Sequence, residues 1–259
     1  MLSLTGDWIN QHVVITVLMS LRFLGVFLVM PLFAFRALTI RMRVVISLML
    51  AYFVVLYLPG SEKDLVEQSP TILSVASEFG IGLLLGWLMR VGLMTIDFVA
   101  ESLSMQAGLS FAATMNHDPA LASGLLGEFL GMMALALAFA LNIHLVFLQV
   151  MLQSFNYLPV GQWFSALRPE AILKLMANAF ALGLVITIPA LVVYYLFNMT
   201  QAILARVSPQ MNLFSVGFPM MIAMAFAIIA LLLPSFSGLV ARSLEPSIEL
   251  IKALLGILK

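Results

Sequence analysis

Residues Ala205–Pro219 read ARVSPQMNLFSVGFP and interrupt the most apolar half of the chain. Within the long run Leu175–Ala241, Arg206 is the only residue with a formal charge. Proline cannot continue a helix, and asparagine or serine favours the position just before a new one. The stretch therefore predicts the tip of a helical hairpin, with Arg206 in the last turn of the incoming helix, where the helix dipole favours a cation. The turn-forming residues are Pro209, Asn212, Ser215, Gly217 and Pro219.

The composition places this chain in the class of membrane proteins. Of its 259 residues, 63% are hydrophobic and 9% are charged, whereas a soluble globular protein usually has about 25% charged residues. Twelve basic and twelve acidic residues cancel, so the chain has no basic excess with which to bind nucleic acid. It has no cysteine, which excludes disulfides, thiolate metal sites and a cysteine nucleophile.

Six apolar segments have about the length that a membrane-spanning helix needs, which is roughly 20 residues for a hydrocarbon core of about 30 Å. Short connectors rich in turn-forming residues separate them. We therefore expect an all-α, polytopic membrane protein that forms one domain over residues 1–259. The segments are roughly 11–33, 44–59, 70–104, 127–155, 175–204 and 210–234.

The third segment is both long and charged. As one helix it would measure about 50 Å, and at 100° per residue the last three of its four charges lie within about 40° of one another. A charge at bilayer depth costs on the order of 3 kcal/mol, so we expect this charged stripe to face protein or water, and we hypothesise that it pairs with partner helices. A charged helix end in the lipid interface is the open alternative. Gly82 and Gly86 predict close approach of another helix. The charged stripe comprises Glu78, Arg90, Asp97 and Glu101.

The positive-inside rule gives conflicting orientations for the two ends of the chain. Three arginines between residues 36 and 43 place the first connector in the cytoplasm and the N-terminus outside. With six spans the C-terminus would share that outer side, yet three basic residues after residue 241 place it in the cytoplasm. Either one segment does not span, or the chain is not threaded through lipid in the ordinary way. The first residues lack a positive region, so we expect no cleaved signal peptide.

Residues suited to catalysis or metal binding are sparse. The three histidines stand alone, and Asp118 directly after His117 cannot share a helix face with it, so we expect no metal site and no cofactor. An intramembrane serine hydrolase would need a base beside its serine, and Ser123 and His144 lack the sequence context of such a site. We therefore expect no catalytic residues and no enzymatic activity.

The stretch LARVSPQMNLFSVGFPMMI resembles the signature of the FliR family of flagellar export-gate proteins, whose counterpart in virulence injectisomes is SctT. The resemblance covers nearly the whole chain, although Ile143 stands where many relatives have glycine, which leaves flagellar and injectisome systems open. Further matches are Arg22 before Pro31, Glu78 with Gly82 and Gly86, AESLSMQAGLSFA followed by Asp118 and Pro119, and SFNYLP at Ser154–Pro159. The matching tip residues are Arg206, Pro209, Gln210, Met211, Asn212, Phe214, Gly217, Phe218 and Pro219.

This resemblance implies a subunit of the export gate, a protein-conducting channel at the base of a type III secretion system in the bacterial inner membrane. FliR-like proteins are similar to one FliP-like unit followed by one FliQ-like hairpin with a C-terminal helix, here approximately residues 1–204 and 175–259. One copy closes a helical ring with FliP-like and FliQ-like partners, largely above the lipid plane. The turn from Gln210 to Asn212 would point toward an FlhB-like switch protein, and the substrates would be unfolded secreted proteins.

The family also places a plug in the pore, in the loop after the third helix. Here that loop is Met105–Met115, MQAGLSFAATM, which carries no charge. Apolar side chains exclude water from a constriction, while glycine and alanine let the backbone move aside. An interior turn packed like any core loop is the open alternative. The implied plug residues are Met105, Gln106, Ala107, Gly108, Leu109, Ser110, Phe111, Ala112, Ala113, Thr114 and Met115.

A small secondary transporter is the competing hypothesis from another functional class. Its midplane site would use Glu78, Arg90 and Asp97 at broken helices. Such a transporter should purify as a monomer or a symmetric oligomer, whereas a gate subunit should purify together with two small helical proteins. The sequence contains no phosphate-binding loop, so the energy for secretion would come from elsewhere.

Overall fold

The computed structural model describes residues 2–30, 39–57, 71–108, 124–161, 169–207 and 217–257. Every regular element in these ranges is a helix, which confirms the predicted all-α class. The helices are α1 (Leu2–Val29), α2 (Ile40–Tyr57), α3 (Ile72–Gln106), α4 (Gly124–Ala140), α5 (Ile143–Tyr157), α6 (Pro169–Val207) and α7 (Phe218–Leu254).

Four of the described helices contain stretches long and apolar enough to cross a membrane, which confirms the membrane class. The third segment is one continuous helix of 35 residues, and the second is short, with 18 residues. The four stretches lie in α1 (His12–Val29), α3 (Ile72–Gln106), α6 (Pro169–Val207) and α7 (Pro219–Leu254).

The predicted fourth segment, roughly 127–155, is two helices rather than one. α4 ends at Ala140 and α5 begins at Ile143. Between them, Asn142 has a φ of 56°, in the left-handed region that asparagine enters more readily than most residues with a side chain. Hydropathy gave no sign of this break because apolar residues continue on both sides of it.

The predicted sixth segment, roughly 210–234, continues far beyond its expected end. α7 runs through Pro234 and Pro246 to Leu254. The charges of Arg242 and Glu245 lower the local hydropathy. The apolar run is therefore shorter than the helix, and it predicts too early an end. The C-terminal helix expected after the hairpin is therefore the continuation of α7.

The chain divides into two compact units. The expected FliP-like and FliQ-like parts, approximately 1–204 and 175–259, have other boundaries and stay a prediction. Unit 1 comprises Met1–Val91, Asn142–Leu173 and Pro246–Lys259, and unit 2 comprises Gly92–Leu141 and Lys174–Glu245.

In unit 1, α1 packs on α2 and meets α3 through glycines on both helices. A Cβ atom on Gly25 would lie 2.7 Å from the carbonyl oxygen of Phe79, and one on Gly82 would collide with the carbonyl oxygen of Arg22. A Cβ on Gly86 would lie 3.1 Å from the α1 backbone. The close helix approach predicted from the spacing of Gly82 and Gly86 is therefore confirmed.

In unit 2, the second half of α3 packs against α6. Thr95 donates a hydrogen bond from Oγ1 to the carbonyl oxygen of Ala179 at 3.0 Å. The rings of Phe98 and Phe180 meet edge to face, with centroids 5.9 Å apart. Gly183 lies under the Phe98 ring, where a Cβ atom would come within 2.9 Å of it.

Candidate functional site

The centre of unit 1 is a fully buried ion pair between α1 and α3. Arg22 and Glu78 have no exposed surface. Arg22 donates from Nε to Oε2 of Glu78 at 2.8 Å and from Nη2 to Oε1 at 2.9 Å. This two-pronged geometry matches the planar guanidinium group to the carboxylate and gives the strongest kind of charge-assisted hydrogen bond.

The same pair holds the corner that follows α5. Arg22 donates from Nη1 to Ser154 Oγ at 3.0 Å and from Nη2 to the Leu158 carbonyl oxygen at 3.2 Å. The backbone N–H of Gly161 donates to Oε1 of Glu78 at 2.9 Å. Gly161 has a φ of 88°, which residues with a side chain rarely adopt. The Arg22 guanidinium also lies 4.3 Å from the ring centroid of Phe155.

This buried arginine network ties together α1, α3 and the corner after α5. Burying a charge is costly unless it is paired and its remaining hydrogen-bond groups are satisfied. Glu78 accepts three hydrogen bonds and Arg22 donates four, so this requirement is met. The residues come from three stretches that the family resemblance named separately, at Arg22, at Glu78 and at Ser154–Pro159. Their pairing was missed, because partners so far apart leave no local signal in one sequence.

In the charged stripe of α3, one residue is buried and the other three are exposed or half-buried. Glu78 meets its opposite charge within the chain, at Arg22. Arg90 and Asp97 are exposed, and Glu101 is half-buried. The helical wheel agrees, because Glu78 is separated from the other three by about 100–140°. Pairing of the stripe with other subunits stays a prediction for Arg90, Asp97 and Glu101.

The described part of the predicted plug is its first four residues. Met105 is 64% exposed and Gln106 is exposed, whereas Ala107 is buried. Gly108 ends α3 with a φ of 73°, a left-handed cap that favours glycine. Its N–H donates to the carbonyl oxygen of Met105 at 3.1 Å. The remainder, Leu109–Met115, lies outside the described residues.

The hairpin tip is described on both of its sides. Arg206 is exposed in the last turn of α6, as predicted. Phe218 begins α7, and Pro219 is exposed in its first turn. The signature residues Pro209, Gln210, Met211, Asn212 and Phe214 lie outside the described residues.

Gln201 is a further tip residue that the sequence did not point to. It is 8% exposed and donates from Nε2 to the carbonyl oxygen of Gly217 at 3.5 Å. A Cβ atom on Gly217 would lie 2.6 Å from Gln201 Oε1, so the buried amide occupies the space that any side chain at 217 would need. This contact links the end of α6 to the start of α7.

Of the two residues considered for hydrolase chemistry, the structure describes one. Ser123 lies outside the described residues. His144 is half-buried on α5.

The comparison with protein families gives a match over most of the chain. The family described as bacterial export proteins, family 1, matches residues 13–246. This chain belongs to that family. The matched range contains the buried arginine network, the charged stripe, the predicted plug and the hairpin tip, so all four are features of an export-family chain.

Named relatives of this export-family chain are flagellar proteins. Flagellar biosynthetic protein FliR of Buchnera aphidicola subsp. Acyrthosiphon pisum is 27% identical over 215 residues, which are 83% of this chain and 83% of that protein. The FliR protein of Escherichia coli K12 is 26% identical over 217 residues, 83% and 82% of the two chains. That of Bacillus subtilis 168 is 25% identical over 244 residues, 93% and 94% of the two chains. The chain is similar to them over nearly their whole length.

Proposed function

We propose that this chain is a core subunit of the flagellar type III secretion export gate. With FliP-like and FliQ-like partners it forms a channel for unfolded proteins across the bacterial inner membrane. The observation that carries this proposal is the export-family match over residues 13–246. FliR relatives that match over at least four fifths of the chain favour the flagellar system over the injectisome.

The surface of unit 2 supports a place among other helices or lipid tails rather than in water. On α6, Val185, Tyr195 and Ile203 are each about two-thirds exposed, at 68%, 64% and 65%. A groove of about 730 Å³ between α6 and α7 is lined mainly by apolar residues and by Pro189 and Pro234. Exposed apolar surface of this extent marks a contact with protein or membrane.

The role of the subunit is mechanical rather than enzymatic. Met105–Met115 closes the resting channel as a plug, and its lack of charge suits a seal that excludes water and ions. The hairpin tip between α6 and α7 lies at the cytoplasmic entrance and contacts an FlhB-like switch protein. The assembly lies at the base of the flagellum, largely above the lipid plane, and uses no cofactor of its own.

The burial of Glu78 argues against the competing transporter. A midplane transport site needs ionisable groups that a small substrate or ion can reach. Arg22 and the Gly161 N–H occupy both carboxylate oxygens of Glu78, and neither Arg22 nor Glu78 has exposed surface. Glu78 therefore serves the fold, and two exposed charges are left for the supposed site.

Secretion by cells that lack the chain tests the proposal. We expect deletion of its gene to abolish export of flagellar filament protein into the medium, and a plasmid copy to restore it. As a control, filament protein should be expressed from an inducible promoter, so that its total amount is the same with and without the chain. Filament protein that still reaches the medium without the chain would contradict the proposal.

A further inference from the structure

The packed face of α6 is rich in small and polar residues, and its open face is apolar, the reverse of a helix in a soluble protein. From Gly183 onward the buried residues recur at spacings of three, four and seven, so they form one line along the helix. Large apolar side chains such as Ile188 and Leu196 are exposed elsewhere on it. The buried residues of α6 are Leu175, Gly183, Thr187, Ala190, Tyr194 and Gln201.

Four polar atoms on this face are buried without a hydrogen-bond partner in the part of the chain that the structure describes. At 100° per residue their side chains fall within about 60° of one another, and they extend over about 21 Å of helix. Gln201 keeps its bond from Nε2 to Gly217, but its Oε1 accepts none. These atoms, which we call the polar seam of α6, are Thr187 Oγ1, Tyr194 Oη, Asn198 Oδ1 and Gln201 Oε1.

The polar seam weakens the packing of α6 within unit 2. A buried polar group without a partner destabilises the state that buries it, because in contact with water the same group is hydrogen-bonded. On the same face, Gly183 one turn before the seam and Ala190 within it bury little apolar area to offset this effect. Separation of α6 gives all four atoms access to water in the opened channel or to polar groups of another chain.

We propose that the polar seam is a parting plane, along which α6 separates from the rest of unit 2 when the channel opens. The inference rests on the proposed gate function, because an opening channel benefits from a helix face that is held weakly. In a static scaffold the same buried positions would be aliphatic, since unpartnered polar groups there only lose stability. The seam lowers the free-energy difference between the packed and the separated state of α6. A substrate or partner therefore needs to supply less free energy to separate the helix.

One conservative substitution tests the parting plane, by whether it raises or lowers the unfolding temperature. Tyr194→Phe removes an unpartnered hydroxyl and keeps the buried ring, so it stabilises the packed state. Tyr195→Phe is the matched control, because that neighbour is 64% exposed. In the export assembly purified in detergent, we expect Tyr194→Phe to raise the unfolding temperature by about 2–4 °C. Tyr195→Phe should leave it unchanged.

A second pair of variants tests another seam position by a different measurement. Thr187→Val removes a buried, unpartnered hydroxyl, whereas Thr200→Val removes an exposed one that donates to the Leu196 carbonyl oxygen at 2.9 Å. We expect Thr187→Val to slow amide hydrogen exchange across residues 187–201 several-fold, and Thr200→Val to leave it unchanged. Faster exchange in Thr187→Val would contradict the proposal.

Export from living cells is the functional readout. Tyr194→Phe and Thr187→Val should lower the rate of filament-protein export at normal amounts of assembled gate. A lower unfolding temperature for Tyr194→Phe would overturn the proposal, because the hydroxyl would then have a partner in the assembly. A raised temperature with unchanged export would also overturn it, since the seam would be a packing defect alone. Export that survives deletion of the whole chain would instead refute the gate function, a result that no stability measurement produces.

Discussion

Arg22 connects three segments of the chain through one guanidinium group. It makes two hydrogen bonds to Glu78 and one each to Ser154 and Leu158. A lysine could not replace it, because an ammonium group lacks the planar fork that reaches both carboxylate oxygens and a third segment at once. The importance of the network lies in the position of the corner after α5, which it holds against α1 and α3.

The coupling between Arg22 and Glu78 gives a prediction at this scale. Arg22→Met should lower the free energy of unfolding by about 3–5 kcal/mol, because it leaves a buried carboxylate uncompensated. Glu78→Leu should lower the free energy of unfolding by a similar amount, because it leaves the buried Arg22 guanidinium uncompensated. The double variant should cost much less than the sum of the two, as measured by thermal unfolding of the purified chain in detergent. A double variant that loses the full sum would contradict the coupling.

The contact between α1 and α3 gives a second prediction. Gly82→Ala places a methyl group into the backbone of α1 at Arg22, which is not a flexible neighbour. We expect a loss of about 1–3 kcal/mol from this overpacking. Gly131→Ala on α4 is the matched control, since a Cβ there has no atom within 4 Å, and it should be neutral or slightly stabilising. Equal stability of the two variants would show that the helices do not meet as described.

At the scale of elements, we propose different roles for the end of α3 and for Met105–Met115. The helix carries the charges that can hold a partner, while Met105–Met115 is uncharged and rich in small residues. α3 ends at a glycine cap, Gly108, which has a φ of 73°. We therefore expect Met105–Met115 to contribute little to assembly and to close a constriction.

Deleting Gly108–Ala113 should therefore separate sealing from assembly. We expect the complex to be recovered in normal amount, because the deleted residues carry no charged group that anchors a partner. Resting cells that express this variant should leak ions, since a widened apolar constriction admits water. Growth in raised salt and uptake of a small dye measure the leak. A variant that assembles and stays tight to ions would refute the plug, and one that fails to assemble would make the segment structural.

The same elements show how far the sequence predicts this fold. Among the described residues, apolar length predicted where each of the long helices α1, α3, α6 and α7 lies approximately, because the bilayer imposes a minimum length. It missed the break at Asn142, which depends on one residue entering the left-handed region, and the extension of α7 beyond Pro234, where charges lie within a helix. For the site, the glycine spacing predicted the close approach of another helix to α3. The partner of Glu78 followed only from the fold, since Arg22 lies on another helix.

At the scale of the whole molecule, two kinds of exposed surface are suited to contacts outside the chain. α6 exposes large apolar residues along most of its length, and α3 exposes Arg90 and Asp97. Lipid tails can surround the apolar surface of α6 but not the charges on α3, because a charge in hydrocarbon is costly. Helices of neighbouring subunits suit both surfaces, which agrees with a chain that functions inside a larger assembly.

The charged stripe gives the prediction at this scale. Arg90→Ala and Asp97→Ala should each lower the recovery of the assembled gate several-fold, because a partner charge buried on assembly is left uncompensated. Glu245→Ala, which removes an exposed charge on α7, is the control and should assemble normally. Normal assembly of both stripe variants with loss of secretion would favour a role for these charges in the export path instead.

Native mass spectrometry of the complex purified through a tag on this chain shows whether it is a gate subunit. We expect a hetero-oligomer that contains one copy of this chain with several copies each of a FliP-like and a FliQ-like protein. A monomer, or a symmetric oligomer of this chain alone from membranes that contain both partners, would contradict it.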